Sequence, residues 1–457
     1  VIYPSGSSGI PKAIPIRHDS LLNLAKAQSK CFDVISNDNI IQFAPLTFDA
    51  SVSEWAVSLY AGATLCLVDQ KEKLDVDQLA TAIQKNHITI ATFPPSYLQE
   101  LPPQKMHGLK TLVSAGEPCK RILIERYANT CRFINAYGPT ETAVCASIHI
   151  CSQGSAENNV GQAIEHTRLM VLDKYNQPLP QGHTGEITIA GIGLSPGYLN
   201  PSETTGFFQL HNISLYRTGD LGYLDESECL RYLGRQDRQV KSRGYRIDLQ
   251  EIETYLKASN DVKEAAVVQS SNHQIIGFVV LEPVSSHTNI SLRTTLATYM
   301  PSYLLPHRVQ FLPHLPHTAH GKIDYQTLQK LINDINSSLE HTTISNAKDN
   351  PFYALCARIL QQHNILPQSN FFEMGGDSIG AIRLVNECKQ IGLHLTPGLV
   401  FECPDFQTLL GHATTTNSKP SVMAQNVTAH SIPLLPIQQW FFSQSFKDPH
   451  YWNQSCV

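Results

Sequence analysis

The chain has 457 residues, 42% apolar and 16% charged, which is enough for more than one hydrophobic core and too long for one ordinary domain. Its 34 basic and 39 acidic residues leave a net charge of -5 without a Lys/Arg cluster, which argues against a nucleic-acid binder. No apolar run approaches the roughly 18 residues of a membrane-spanning helix, so no membrane partner is expected. The 11 cysteines form no C-x-x-C pair, so neither zinc nor a disulfide framework is expected, and a reducing, cytoplasmic setting fits best. Val1 runs straight into a Ser/Gly loop and Val457 stops inside an apolar pattern, so the chain reads as a fragment of a longer protein.

Residues 1–234 alternate strand-like runs (Ile40–Ala44, Thr64–Val68, Ile88–Thr92, Thr111–Ser114) with helical stretches such as Asp77–Asn86, the rhythm of an α/β layered domain. Glycine-rich turns from Gly182 to Gly197 then mark a β-rich region. A dense polar stretch, Arg235–Arg246, reads as a hinge leading into a small α+β subdomain over 235–330. Residues 331–350, rich in Asn, Ser, Thr and Asp, read as a linker. From Pro351, apolar residues at helical spacing (Phe352, Leu355, Ile359, Leu360; then Ile379, Ile382, Leu384, Val385) predict a small four-helix unit over 351–416, with Asp405 capping its last helix. A second polar linker, 417–431, leads into 432–457, too short for a domain.

Six motifs carry chemistry. In Tyr3-Pro-Ser-Gly-Ser-Ser-Gly-Ile-Pro-Lys12, small hydroxyl residues between glycines let backbone N–H groups and hydroxyls close on phosphate oxygens, with a lysine for charge, although Ser/Gly stretches are also plain loops. In Asn135-Ala-Tyr-Gly-Pro-Thr-Glu141, a tyrosine can stack on a purine and the glutamate can hold Mg²⁺ on phosphate oxygens; a Gly-Pro turn with an incidental acid is the plain alternative. Tyr216-Arg-Thr-Gly-Asp220 offers a carboxylate to ribose hydroxyls, or is a simple turn. The polar stretch Gly234-Arg-Gln-Asp-Arg-Gln-Val-Lys-Ser-Arg-Gly-Tyr-Arg-Ile247 and the lone lysine of His320-Gly-Lys322 follow. In Phe371-Phe-Glu-Met-Gly-Gly-Asp-Ser378, a serine at a helix start exposes its hydroxyl where the helix dipole stabilises a phosphodiester, or is an ordinary N-cap.

In this order and at these separations the first five motifs resemble the adenylate-forming superfamily, specifically an adenylation domain of a nonribosomal peptide synthetase, and the sixth resembles a peptidyl carrier domain. The resemblance implies an α/β large subdomain over 1–234, a small α+β subdomain after a hinge at Asp237, and a four-helix carrier bundle. It implies ATP and Mg²⁺ as cofactors, with Lys322 bridging substrate carboxylate and phosphate and Glu141 positioning Mg²⁺. Tyr137 falls against adenine, with Gly138 and Thr140 also binding ATP or AMP, Asp220 and Arg235 on the ribose, and Ser5, Gly6, Ser7, Ser8, Gly9 and Lys12 in a mobile pyrophosphate-side loop. Rotation at the hinge would withdraw Lys322 and bring Gly244 forward for thioester formation. Ser378 would carry 4′-phosphopantetheine, added by a phosphopantetheinyl transferase. Departures are mild: Pro4 where threonine is usual, Ala13 where glycine is usual, and Asp248 where glutamate is commoner. The family's first motifs would lie upstream of Val1, so the large subdomain is expected to be incomplete. The tail, Leu434-Leu-Pro-Ile-Gln-Gln-Trp-Phe-Phe442 with Tyr451-Trp-Asn-Gln-Ser455, resembles the opening of an epimerization domain, with a condensation domain as runner-up and an amphipathic linker as the plain reading.

The same resemblance implies a substrate. Asp49 matches the residue that pairs with an α-ammonium group, and the remaining wall positions are Ala50, Ser53, Thr92, Val113, Ala115, Ala136, Val144 and Cys145, mostly small and uncharged. This wall resembles phenylalanine-activating pockets except at Ser53, where serine deepens the cavity and adds a hydroxyl for a phenolic O–H. Tyrosine ranks first, with tryptophan and phenylalanine behind. Neighbouring synthetase modules are the expected partners. The competing readings are an acyl-CoA or acyl-carrier ligase, and a catalytically silent carrier and docking protein.

Overall fold

In the computed structural model, the described residues are 1–415 apart from 4–11, 201–205, 243–244, 260, 271–273, 283–291, 293–294, 297, 299, 302–303, 319–321, 333–349, 361, 363–364, 373 and 377. Two compact units are distinguished, Val1–Thr414 and Thr415–Val457. The expected second linker and the epimerization-like tail lie outside the described residues.

The large subdomain opens with α1 (His18–Cys31), β1 (Asn39–Gln42), α2 (Asp49–Ala61), β2 (Thr64–Leu67), α3 (Gln70–Leu74), α4 (Val76–Lys85), β3 (Ile90–Phe93), α5 (Pro95–Leu98), β4 (Thr111–Ala115), α6 (Arg121–Tyr127) and β5 (Arg132–Tyr137). Strands β3, β4 and β5 are near-continuous apolar runs buried on both faces, the signature of a parallel sheet between layers. β1, β2, β3, β4 and β5 pair in parallel. Helix α4 shows why this packing arises. Asp75 caps it by accepting from Asp77 N (2.8 Å) and Gln78 N (3.2 Å), and Val76, Leu79, Ala80 and Ile83 recur at helical spacing and are all buried. They join Phe93, Leu112, Leu123, Tyr127 and Phe133 in the largest core cluster.

The chain then turns antiparallel through β6 (Ser147–Ile150), β7 (Asn159–Ala163), β8 (Thr167–Leu172), β9 (Gly185–Gly191), β10 (Phe207–Leu210), β11 (Ile213–Leu224) and β12 (Leu230–Arg235). Among the described residues these extend the sheet in the order β2-β1-β3-β4-β5-β6-β7-β12-β11-β9-β8, with β10 on β11. A hairpin of β13 (Gln239–Ser242) and β14 (Tyr245–Asp248) begins the small subdomain. There α7 (Leu249–Lys257) packs on β15 (Val262–Gln269), β16 (Ile275–Leu281) and β17 (Arg308–Phe311). Strand β15 is covered on both faces, Ala265 and Val267 entering one cluster and Ala266 and Val268 another, as its period of two requires. A helix over 325–332 runs slightly past the boundary expected at 330.

The carrier unit comprises helices Pro351–Leu360, Ser378–Gln390, Pro397–Glu402 and Phe406–Gly411 around Phe352, Leu355, Leu384, Val385 and Phe406. Asp405 caps the last helix by accepting from Thr408 N at 2.7 Å, as the sequence suggests. Gly375, in the loop before Ser378, has φ +97°, and a Cβ there would lie 2.0 Å from the His307 carbonyl oxygen, so only glycine permits this contact with the small subdomain. The Ser378 helix also reaches the large subdomain. Arg383 Nη2 donates to Glu100 Oε1 at 2.8 Å, Lys389 pairs with Asp77, and Ile382 joins the large subdomain's core cluster.

Candidate active site

At the C-terminal ends of β3, β4 and β5 lies a cavity of about 140 Å³ that Asp49, Ala50, Ser53, Thr92, Val113, Ala115, Ala136, Val144 and Cys145 all line. Ligands in parallel α/β sheets bind outside these strand ends. The register explains the convergence: Thr92 pairs with Val113 and Ala115 with Ala136, while Val113 and Ala115 share a face. Asp49, Ala50 and Ser53 come from the first turns of α2. Val144 and Cys145 arrive by a strained turn in which Ala143 (φ +57°) and Val144 (φ +72°) are both left-handed, costly above all for β-branched valine. Gly138 accommodates that turn, since a Cβ there would meet Ala146 N, Cys145 Cα and Val144 O at 2.7 Å.

The wall differs from the expected small, uncharged one. Phe32, Phe43, Phe48 and Phe93 also line it, and so do Gln28 and Glu54. Local motifs do not reveal Gln28, Phe32 and Phe43, because α1 and β1 reach the cavity only through packing, whereas Phe48, Glu54 and Phe93 neighbour expected wall positions on α2 and β3. Ser53 is also engaged: its hydroxyl donates to Gln28 Oε1 at 2.5 Å. Glu54 accepts from Gln42 Nε2 (2.5 Å) and Ala44 N (3.2 Å), and burial pushes its carboxyl up to about 8. Asp49 accepts the Thr140 hydroxyl at 2.6 Å, and burial raises its carboxyl above the ordinary value. Such a carboxylate gains most from a cation brought to it.

A second cavity of about 340 Å³ is lined by Gly116, Glu117, Asn135, Tyr137, Tyr232 and Lys241, among others. The Tyr137 hydroxyl donates to Asp220 Oδ2 at 2.6 Å, and Arg235 Nη1 donates to Asp220 Oδ1 at 2.7 Å. Both Asp220 oxygens thus already accept a bond within the protein, which the motif does not disclose. Arg235 holds Asp237 through two bonds of 2.7 Å as well, tying the expected hinge to the large subdomain.

Glu141 is 1% exposed. It accepts from Arg246 Nη1 at 2.9 and 2.8 Å and from the Tyr198 hydroxyl at 2.9 Å. Burial opposes its ionisation, but Arg246, with the Tyr216 and Tyr198 hydroxyls, outweighs burial and holds the carboxyl below the usual range. Lys241 stands directly across the hairpin from Arg246, with Nζ 5.4 Å from the Tyr137 ring centroid. Burial holds its ammonium below the ordinary value, although Asp220 opposes the shift. Like charges paired across two strands repel, and here carboxylates of the large subdomain compensate them. The sequence reading gave neither cation a role. Their pairing follows from the hairpin register, which sets Lys241 opposite Arg246.

Lys322 departs from expectation. It is exposed on the small subdomain and lines neither cavity, because in this orientation the β13–β14 hairpin faces the large-subdomain carboxylates. Lys12 is buried, its Nζ 5.0 Å from the Tyr198 ring. Ser5, Gly6, Ser7, Ser8, Gly9 and Gly244 lie outside the described residues, and of Ser378 only its place at the start of its helix is described.

Three family profiles match: AMP-binding enzyme over 1–199, AMP-binding enzyme C-terminal domain over 251–322, and phosphopantetheine attachment site over 352–413. With the fold, they define an adenylate-forming architecture of large and small subdomains followed by a carrier domain, the arrangement also found in an NRPS protein containing adenylation and PCP domains. Among curated relatives, bacitracin synthase 3 of Bacillus licheniformis is 34% identical over all of this chain and 7% of its own length. Tyrocidine synthase 1 of Brevibacillus parabrevis is 32% identical over all of this chain and 43% of its own length. The chain therefore spans under half of either relative. Among solved structures, holo-PA1221, an NRPS protein containing adenylation and PCP domains, superposes with a TM-score of 0.77 at 26% identity, covering 91% of this chain and 72% of that one. The Vibrio cholerae adenylation domain AlmE in complex with glycyl-adenosine-5'-phosphate gives 0.65 at 28% identity, covering 73% of this chain and 66% of that one.

Proposed function

We propose that the full-length protein activates an aromatic amino acid, tyrosine first, with ATP and loads it onto a 4′-phosphopantetheine arm on Ser378. The observation that carries this reading is the convergence of Asp49 and all eight other wall positions on one cavity. The substrate carboxylate oxygen attacks the α-phosphorus of ATP, the bond to the β-phosphate breaks, and pyrophosphate leaves. The arm's thiolate then attacks the acyl carbon and AMP departs. Asp49 takes the ammonium group. The cavity lined by Tyr137 and Lys241 takes the nucleotide, with Asp220 and Arg235 at the ribose and Lys12 and the 5–9 loop on the pyrophosphate side. Glu141, a buried carboxylate, would hold Mg²⁺ in a state where Arg246 has withdrawn from it, and the ion would supply neutralisation of phosphate charge.

Lys322 serves adenylation from another small-subdomain orientation, and the state described here, with Arg246 on Glu141 and the carrier docked, belongs to thioester formation. The Trp-Asn-Gln tail supports a following epimerization domain that converts the residue to the D form. A cytoplasmic setting, a phosphopantetheinyl transferase and neighbouring synthetase modules complete the reading. Amino-acid-dependent pyrophosphate exchange on the full-length protein tests it: exchange is expected to be strongest with tyrosine and to be lost in Lys322→Ala. Strongest exchange with a small or acidic amino acid refutes the pocket reading.

A further inference from the structure

One wall of the amino-acid cavity carries two polar side chains from different helices: Ser53 on α2, 5% exposed, and Gln28 on α1, 3% exposed. The Ser53 hydroxyl donates to Gln28 Oε1 at 2.5 Å, and Gln28 also stands beside the Cys145 thiol. A carboxamide oxygen only accepts, so this bond commits the serine's single proton. What Ser53 Oγ retains is acceptor capacity. The other polar groups on the wall do not share this bias. Glu54 is held by Gln42 Nε2 and Ala44 N, and Asp49 is held by Thr140. The Thr92 hydroxyl can rotate to donate or accept and so selects neither.

We propose that Gln28 is a specificity-positioning residue: by taking the Ser53 proton it leaves Ser53 Oγ as a hydrogen-bond acceptor that selects a substrate side chain whose end against it is a donor, such as a phenolic O–H. The inference rests on the reading that the cavity accepts an aromatic amino acid. It predicts more than a preference for tyrosine. A side chain ending in an acceptor alone meets lone pairs and is rejected, whereas one of the same size with no polar atom is not.

The test compares O-methyltyrosine with 4-ethylphenylalanine, which match in size and differ in the ether oxygen. Pyrophosphate exchange is measured on the full-length protein and on Gln28→Met, which keeps the length of the side chain and removes the acceptor. In the unsubstituted protein, kcat/KM for O-methyltyrosine is expected about tenfold below that for 4-ethylphenylalanine. In Gln28→Met the released serine hydroxyl can donate to the ether, and the ratio is expected to rise to parity or above, with KM for ATP unchanged. A ratio that is the same in both proteins overturns the proposal. So does equal use of the two analogues by the unsubstituted protein, an outcome that does not depend on the variant folding. If a small or acidic amino acid outperforms the whole aromatic series, the reading of the pocket fails instead.

Discussion

Replacing Arg246 with glutamine removes the cation that Glu141 faces at 2.8–2.9 Å while keeping a polar group of similar reach. At that separation, with an effective dielectric near 20, the attraction amounts to roughly 6 kcal/mol before desolvation is counted. Removing one partner of a buried pair costs about 3–5 kcal/mol, because the remaining charge stays desolvated. The Tyr198 hydroxyl remains on Glu141 and offsets on the order of 1 kcal/mol, so a net loss of about 3 kcal/mol is expected in the docking of the β13–β14 hairpin. Hydrogen exchange read by mass spectrometry reports this locally: amides of 239–248 should exchange roughly a hundredfold faster, while those of β4 and β5 stay unchanged. A cycle with Glu141→Gln isolates the pairwise part, and the double variant should lose much less than the sum of the two singles. Exchange within about threefold of the unsubstituted protein, or strictly additive losses, would refute the idea that this ion pair fastens the hairpin.

Two further outcomes follow from other parts of the site. The Glu54 carboxyl moves from 4.5 in the unfolded chain to about 8 when folded, so the folded state holds a proton that the unfolded state has released, and stability falls as pH rises through that window. Glu54→Gln, whose carbonyl can still accept from Gln42 and Ala44, should be near neutral below about pH 5 and stabilising by roughly 3–5 kcal/mol near pH 8 in urea denaturation; a pH-independent difference would contradict the assignment. Arg383→Glu opposes Glu100 on the docking face, where the partners are 44% and 12% exposed. A partly exposed pair is worth about 1 kcal/mol at most, so single-turnover thioester loading should slow several-fold with adenylate formation unchanged, and Glu100→Arg should restore it; undiminished loading would argue that this contact is not the loading state.

What the sequence determined by itself follows from short range. Apolar runs placed β1, β2, β3 and β4, helical spacing placed α4 and the carrier helices, and the nine wall positions of the cavity were readable through the family resemblance, whose pattern falls on strand ends, a helix start and one turn. The tertiary structure decided what crosses long stretches of sequence. Ser53 reaches Gln28 from 25 residues away and Glu141 meets Arg246 across 105, distances over which no local pattern constrains a side chain. Packing of α1 and β1 against the strand ends brought in Gln28, Phe32 and Phe43, which with Phe48, Glu54 and Phe93 beside the expected positions turned an expected small-residue pocket into an aromatic one with a polar wall. The orientation of the small subdomain was equally illegible. It depends on which carboxylates the hairpin cations can neutralise when buried, and this left Lys322 outside the cavity and Arg246 within reach of Glu141.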